Sequence, residues 1–412
     1  MYTQKNSWAV ALLALLTVGA NALRAQSQIA VKGELVHTSA GKPITRGIVL
    51  IKDGKITRVG SQTQISVPSG WKTIEAKVVT PGLIDAHSTV GLSGILNVEA
   101  DQDQLEHSSP IQPELRALDA YNAHEELVDW VRGFGVTTIH TGHAPGELIS
   151  GQTLVVKTVG NTVEESMLVE TCAVAVTLAG SARKSGKESP GTRGKMVSML
   201  RTQLIKASEY RKKTLKSEQD DESEPPARDL KLETLSRVLA GELPLMITVQ
   251  KAQDIATALR LAKEFEIRVW LDGGAEAYLL LDEIKAAGVP LFVHPTMARP
   301  VGDLENMSFE TAGKCYAAGI PIAMQAGYEA YVPKTRVVLF EAGMAAAHGL
   351  PTEAALQAIT ISPAKILGIE KRVGSIEVGK DGDLALFDGD PFEYTTHCIG
   401  TIVDGVIYEG KR

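Results

Sequence analysis

The chain has 412 residues, 44% of them hydrophobic and 22% charged, with a net charge of −7. This is the profile of a globular protein with room for one large and one smaller domain. The mild acidity gives no electrostatic case for nucleic acid or an anionic membrane as partner.

The first element in chain order is a leader. "MYTQKNSWAVALLALLTVGANALRAQ" places Lys5 before an apolar core, Trp8 to Val18, and small residues follow. Ala20-Asn21-Ala22 offers one cleavage site and Ala25 a second, so residues 1–25 read as a secretory signal peptide cleaved after 22 or 25. The apolar run is shorter than the ~20 residues that span a bilayer, no later run is long enough either, and no cysteine follows to carry a lipid. The expectation is an exported protein, periplasmic or extracellular, with no membrane span. Export permits disulfides, but Cys172, Cys315 and Cys398 are three and widely spaced. They form no disulfide framework or metal knuckle; one bridged pair and buried free thiols both fit, the latter being the plainer reading.

From Ile29 to Val79, "IAVKGELVHT", "GIVLIKDGKITRVG" and "WKTIEAKVVTPG" alternate apolar and polar residues, with Asp53-Gly54 as a hairpin signal. The C-terminus repeats the style in "GSIEVGKDGDLALFDGD" and "HCIGTIVDGVIYEGKR". The two ends are expected to pair into one small sheet domain. Between them, "VRGFGVTTIHTG", "LPLMITVQ", "EIRVWLDGG", "GVPLFVHPT" and "GIPIAMQAG" read as buried strands. They alternate with the helices "AQDIATALRLAKEF", "AYLLLDEIKAAG", "FETAGKCYAAG" and "TEAALQAITISPAKILG". That alternation argues for a parallel sheet covered by helices, with a site where the strands end. The charge-rich region near 183–237 reads as a helix, "KMVSMLRTQLIKASEYRKK", followed by a solvated loop around "KSEQDDESEPPARD".

Four motifs, "VVTPGLIDAH" (Val78–His87), "GFGVTTI" (Gly133–Ile139), "SPAKILGI" (Ser362–Ile369) and "VGSIEVGKDGDLALFDGDP" (Val373–Pro391), carry a resemblance. With them the chain resembles the amidohydrolase superfamily, in its imidazolonepropionase-like branch, over nearly everything after the leader. The resemblance implies an α/β fold: a (β/α)8 TIM-like barrel over 81–372 and a composite β-sandwich built from 26–80 plus 373–412. It also implies metal-dependent hydrolysis of amide-like C–N bonds, with divalent ions activating a water. The family's ligands are an HxH pair after strand one, one histidine each after strands five and six, and an aspartate after strand eight.

Carried over position by position, that ligand set lands on His87 and Thr89, Gln250, Gly273 and Gly327. Asp272, one residue from Gly273, is expected on the other face of its strand. One imidazole therefore survives, and losing ligands costs metal affinity heavily. A rebuilt site could draw on His87 with His140, His143 and His294, with Glu99, Asp101 and Asp103 in the loop that follows His87. The plainer reading is histidines hydrogen-bonded within a polar barrel mouth. Tyr328, Glu329, Tyr331, Lys334 and Arg336 follow the eighth strand, where they would line a pocket for a polar or anionic small molecule or form an ordinary interface. No serine sits on a nucleophile elbow and no phosphate loop is present.

Two functions are in view. One is a non-catalytic amidohydrolase-like protein, without a cofactor, that binds a small-molecule ligand or forms a homo-oligomer or a hetero-oligomer with an active amidohydrolase. The other is an active C–N hydrolase holding zinc in the rebuilt site.

Overall fold

The computed structural model describes residues 28–185, 189–220, 222–296, 298–328 and 338–410. The expected leader lies outside the described residues, as do Glu329, Tyr331, Lys334 and Arg336.

Strands β1 (Gln28–Val36), β2 (Ile44–Lys52), β3 (Lys55–Ser61) and β4 (Lys72–Pro81) open the chain. They are followed by β5 (Leu83–Ser88), β6 (Val136–Thr141), β7 (Ile149–Gln152), β8 (Leu154–Lys157) and β9 (Met167–Val169). Next come β10 (Val174–Thr177), β11 (Leu245–Val249), β12 (Val269–Gly273), β13 (Leu291–Val293) and β14 (Ile322–Met324). The last three are β15 (Leu384–Phe387), β16 (Cys398–Val403) and β17 (Val406–Glu409).

Both chain ends share one seven-stranded sheet of order β17-β16-β15-β4-β1-β2-β3. Its seam is antiparallel pairing of β15 with β4, Leu386 opposite Val79. Alternation sorts the side chains: Ile29, Val31, Val49, Ile51 and Leu386 fill one face, whereas Ala30, Ile48 and Leu50 pack with Ile65 on the other. Asp53 and Gly54 make a two-residue turn with φ of 51° and 78°, the backbone a hairpin with these residues favours.

The remaining strands form two curved sheets, β14-β13-β12-β11-β10-β7 and β5-β6-β8-β9. In the first, β10 to β14 run parallel in register, aligning Thr177, Thr248, Asp272, Phe292 and Ala323 in one row. These pairings do not close a ring. The two sheets meet at isolated points: a parallel bridge of Ser88 to Gly327 on one side, and Thr153 bonded to Ala173 and Cys172 on the other. Two apolar layers separate cleanly. Val249, Leu271 and Val293 lie under the helices, while Ile84, Ala86, Met246, Trp270, Phe292 and Ala323 face the interior between the sheets.

The helix Ala252–Phe265 coincides with its predicted segment; it buries Ile255, Ala258 and Leu261, and Ala252 N donates to Glu276 Oε2 across from it. The single helix expected over 352–368 is two, Thr352–Gln357 and Ile361–Ile366. Thr360 breaks the run at φ −138° and ψ −93°, and Pro363, lacking an N–H, is tolerated in the first turn of the second helix. In the charge-rich region the helix is longer than predicted, Arg193–Gln219, burying Met196, Leu200, Leu204 and Ala207. Among the described residues no helix is long and apolar enough to cross a membrane.

Cys172, Cys315 and Cys398 are free and buried. Burial pushes the thiols of Cys172 and Cys315 up to about 12, so neither offers a thiolate. In the native protein all three should resist a maleimide, and all three should label in denaturant. Mass spectrometry reads the adduct count directly, and rapid native labelling at any of them would contradict this packing.

Candidate functional site

The site is built from the ends of β5, β6, β11, β12 and β14. β5 is buried along its whole length, and its pairing with β6 slips twice, at Leu83/Ile84 and at Asp85/Ser88. Those irregularities break simple alternation and turn His87 towards β12. Upstream, Asp85 Oδ1 accepts from Ala326 N at 3.0 Å and from His87 N at 3.3 Å, tying β5 to the segment after β14. Burial, only partly offset by those two bonds, pushes the Asp85 carboxyl up to about 7.

His87 Nδ1 lies 3.0 Å from Asp272 Oδ1, both side chains being fully buried. Asp272 is thus on the interior face, contrary to the expectation that it would point away from His87. The reason is its alternation with Trp270, which lines the same interior; Gly273, one residue on, has no side chain to place on either face. Gln325 Nε2 donates to Asp272 Oδ1 at 2.8 Å and Thr248 Oγ1 to Oδ2 at 2.6 Å. Burial alone would raise this carboxyl, but His87, Thr248 and Gln325 together hold it below the usual carboxylate range. An ionised Asp272 can only accept, so Nδ1 carries the proton of the shared bond. Nε2 of His87 is buried and has no hydrogen-bond partner among the described residues.

The other inherited positions are occupied by structure. Thr89 Oγ1 accepts from Ser93 Oγ at 2.9 Å. Gln250 Oε1 accepts from Ala275 N at 3.2 Å. Gly273 and Gly327 both have φ of 90°. A Cβ on Gly273 would stand 2.5 Å from Gln250 Nε2, and one on Gly327 would stand 2.7 Å from Pro295 Cγ.

Of the four candidate histidines, two meet. The His87 and His140 rings are 6.0 Å apart between centroids. Burial drives His140 down to about 3, leaving it neutral. Its one proton goes from Nδ1 to Ala86 O at 2.7 Å, and Nε2 accepts from Thr153 Oγ1 at 2.7 Å. Trp270 and Phe292 wrap the ring edge-on. His143 is buried beside Gly151. Burial also lowers it, to about 4; the Leu115 carbonyl opposes that only weakly, and neither ring nitrogen makes a well-formed hydrogen bond. His294 sits within its own loop, near Pro295 O and Thr311 Oγ1. In the loop after His87, Asp101 Oδ1 accepts from Val98 N and Gln102 Nε2, and Glu99 is exposed. Ser150 donates to Ala144 O. The ring of Tyr328 lies 5.4 Å from that of His87.

A catalytic zinc needs about three protein ligands around one point. Among the described residues no group of three His, Cys, Asp or Glu side chains converges, and both Asp272 oxygens are spent on protein donors. The unpartnered imidazole nitrogens among the described residues, Nε2 of His87 and both of His143, belong to no such group and do not fit such an ion. Sequence reasoning missed Asp85, Thr248 and Gln325 as parts of this site and misplaced Asp272. The available signal was the Trp270–Asp272 spacing, which puts a carboxylate on the face of a buried aromatic.

A family model described as Amidohydrolase family matches residues 327–408. The amidohydrolase tasK of Hapsidospora irregularis is 24% identical over 396 residues, covering 87% of this chain and 39% of that protein; the chain thus spans about two fifths of that relative's length. Among solved structures, an amidohydrolase from Thermotoga maritima MSB8 superposes with a TM-score of 0.84 at 27% identity, over 93% of this chain and 100% of that one. An adenosine deaminase from Xanthomonas campestris with bound zinc shares the fold at TM-score 0.54 and 14% identity, over 92% of each chain. Together with the four sequence motifs and the sheet shared by the chain ends, these likenesses support membership of the amidohydrolase superfamily.

Proposed function

We propose that this chain is an exported, non-hydrolytic member of the superfamily, whose interior site binds a small molecule or completes an assembly with an active relative. In this reading residues 81–372 form the (β/α)8 barrel and 26–80 with 373–412 its composite sandwich. Superfamily membership supports a hydrolase-type function, and the hydrolysis of its members runs through bound ions. The observation that carries a departure from it is the pair Gly273 and Gly327, held at φ of 90° with the space for a side chain already filled by Gln250 and Pro295. A lost ligand can be replaced by any small residue. Here the backbone and neighbours have settled around the absence of one.

The saturated Asp272 adds support. Its three donors, His87, Thr248 and Gln325, are the neighbours that a metal-bound carboxylate would have to give up. The commitment of both His140 nitrogens weighs against a rebuilt four-histidine site.

The test is elemental analysis of the full chain after growth and after incubation with zinc, manganese and iron salts, beside a panel of cyclic amide and dipeptide substrates. We expect far less than one ion per chain and no turnover above the rate of the buffer. One ion per chain, lost on His87→Ala, would end this reading.

A further inference from the structure

We infer that the outer face of the helix Arg193–Gln219 is a docking surface for a bilayer rich in acidic phospholipid. The net charge of −7 conceals a local excess of the opposite sign. At 3.6 residues per turn, Lys195, Lys206, Lys212, Lys213 and Lys216 share one third of the helix circumference with Ile205, and all six are exposed. The buried Met196, Leu200, Leu204 and Ala207 lie on the opposite side and hold the helix to the body. The ion pairs of this region go elsewhere: Arg193 to Asp254, Arg201 to Glu264 and Arg228 to Glu233. None of the five lysine side chains shares in one among the described residues. Glu209 is the one acid on that face. The acids that follow the helix do not neutralise the row. Asp220 accepts from Glu222 N and Ser223 Oγ, turning the chain round the helix end towards Leu230–Leu239. That second helix packs on the far side, where Tyr210 donates to Glu233 and Ser236 to Ala207 O.

From Lys195 to Lys216 the row runs about 30 Å at the helical rise, a span that suits a plane better than a pocket. Its chemistry selects among polyanions. No aromatic side chain stands on the face to stack a base. The guanidinium beside it, on Arg201, is closed on both oxygens of Glu264 at 2.7 and 2.8 Å. What remains is lysines on long flexible stems around an apolar residue, Ile205, 47% exposed. A headgroup layer meets both: the ammonium groups pair with phosphates while the isoleucine enters the acyl boundary. Each lysine near such a surface adds about fivefold in affinity, so four net charges, five lysines less Glu209, give roughly 500-fold over a neutral bilayer.

Co-sedimentation of the full chain with vesicles is the test, phosphatidylcholine alone against an equal mixture with phosphatidylglycerol. At about 0.1 M salt we expect the mixture to bind at least a hundredfold tighter, and about 0.5 M salt to release the protein. Replacing Lys212, Lys213 and Lys216 together by glutamine, which sits on an exposed helix as readily as lysine, should weaken binding at least thirtyfold. Replacing Lys42, Lys72 and Lys77 by glutamine removes the same charge from exposed positions of the terminal sheet and should leave binding unchanged. Ile205→Ser should cost at least threefold on the mixed vesicles and nothing on dextran sulfate, a soluble polyanion without an acyl layer. Equal binding to both vesicles, or binding to neither, would overturn the inference. So would an equal loss in the terminal-sheet variant, which would trace the effect to net charge. Tighter binding to dextran sulfate than to the vesicles, indifferent to Ile205, would overturn it in favour of a soluble polyanion. None of these outcomes bears on metal content or turnover, so the inference stands apart from the non-hydrolytic reading.

Discussion

Changing Lys157 to methionine should cost the fold about 3–5 kcal/mol, the price of stranding buried carboxylates without their counter-ion. Lys157 ends β8 with its side chain 3% exposed, and its Nζ lies 2.7 Å from Asp381, 2.9 Å from Asp383 and 2.6 Å from Asp404. Asp381 is also held by Lys55 and by Arg372. Three cations thus meet three anions drawn from the β2–β3 hairpin, β8, the segment before β15 and the turn between β16 and β17. This cluster fastens the terminal sheet to the rest of the chain. Burial alone would lower Lys157, but the three aspartates more than offset it and its pKa is raised, so the lysine stays charged.

The same cluster sets a pH dependence with a definite sign. Burial is the main cause pushing Asp383 up to about 6; Lys157 opposes it and Asp404 adds to it. The unfolded value is about 4. Between the two the native state holds the proton more tightly than the unfolded chain, so the contribution of this group falls as pH rises from about 4 to about 6. Without Lys157 the carboxyl has less reason to ionise. The loss from Lys157→Met should therefore be larger at pH 8 than at pH 5, and Asp383→Asn, which keeps an acceptor for Asp404 N, should narrow that difference. Urea midpoints at the two pH values measure it. A loss under about 1 kcal/mol, or one equal at both, would contradict the fastening role.

How far the sequence led can be judged at particular residues. The Asp53-Gly54 turn and the alternation of β1 and β2 announce themselves, because a half-covered strand writes its two faces into its side chains. The helix Ala252–Phe265 is legible for the same reason at a period of 3.6. The interior strands β11 to β14 are legible as strands but not in their facing, since a strand buried on both faces is largely apolar on both and its inner side is hard to tell from its outer. Asp272 was misplaced on that account. The slips in β5 that aim His87 are a matter of pairing and leave no local mark. Lys157 is equally silent: a single lysine ending an apolar strand takes its meaning from acids more than two hundred residues away.

Restoring the family residues at the two glycines should damage the protein before it recovers any metal. In Gly273→His the new side chain would enter a backbone held at φ of 90°, where a non-glycine residue costs about 1–3 kcal/mol, and its Cβ would collide with Gln250 Nε2 at 2.5 Å. The glutamine can swing aside, but it then releases Ala275 N, which Oε1 caps at 3.2 Å. At Gly327 the obstacle is firmer, because the group in the way is the ring of Pro295, which cannot rotate. The aspartate variant there also threatens the bridge of Ser88 to Gly327 that joins the two sheets. Each substitution should lower stability by at least about 2 kcal/mol on these grounds, and the double variant by roughly the sum, since Gln250 blocks one site and Pro295 the other. Thermal melts of the single and double variants, with and without zinc, provide the measurement. A double variant that melts at or above the wild type, and higher still with zinc, would mean that the site tolerates its ligands, and the argument from filled space would fall.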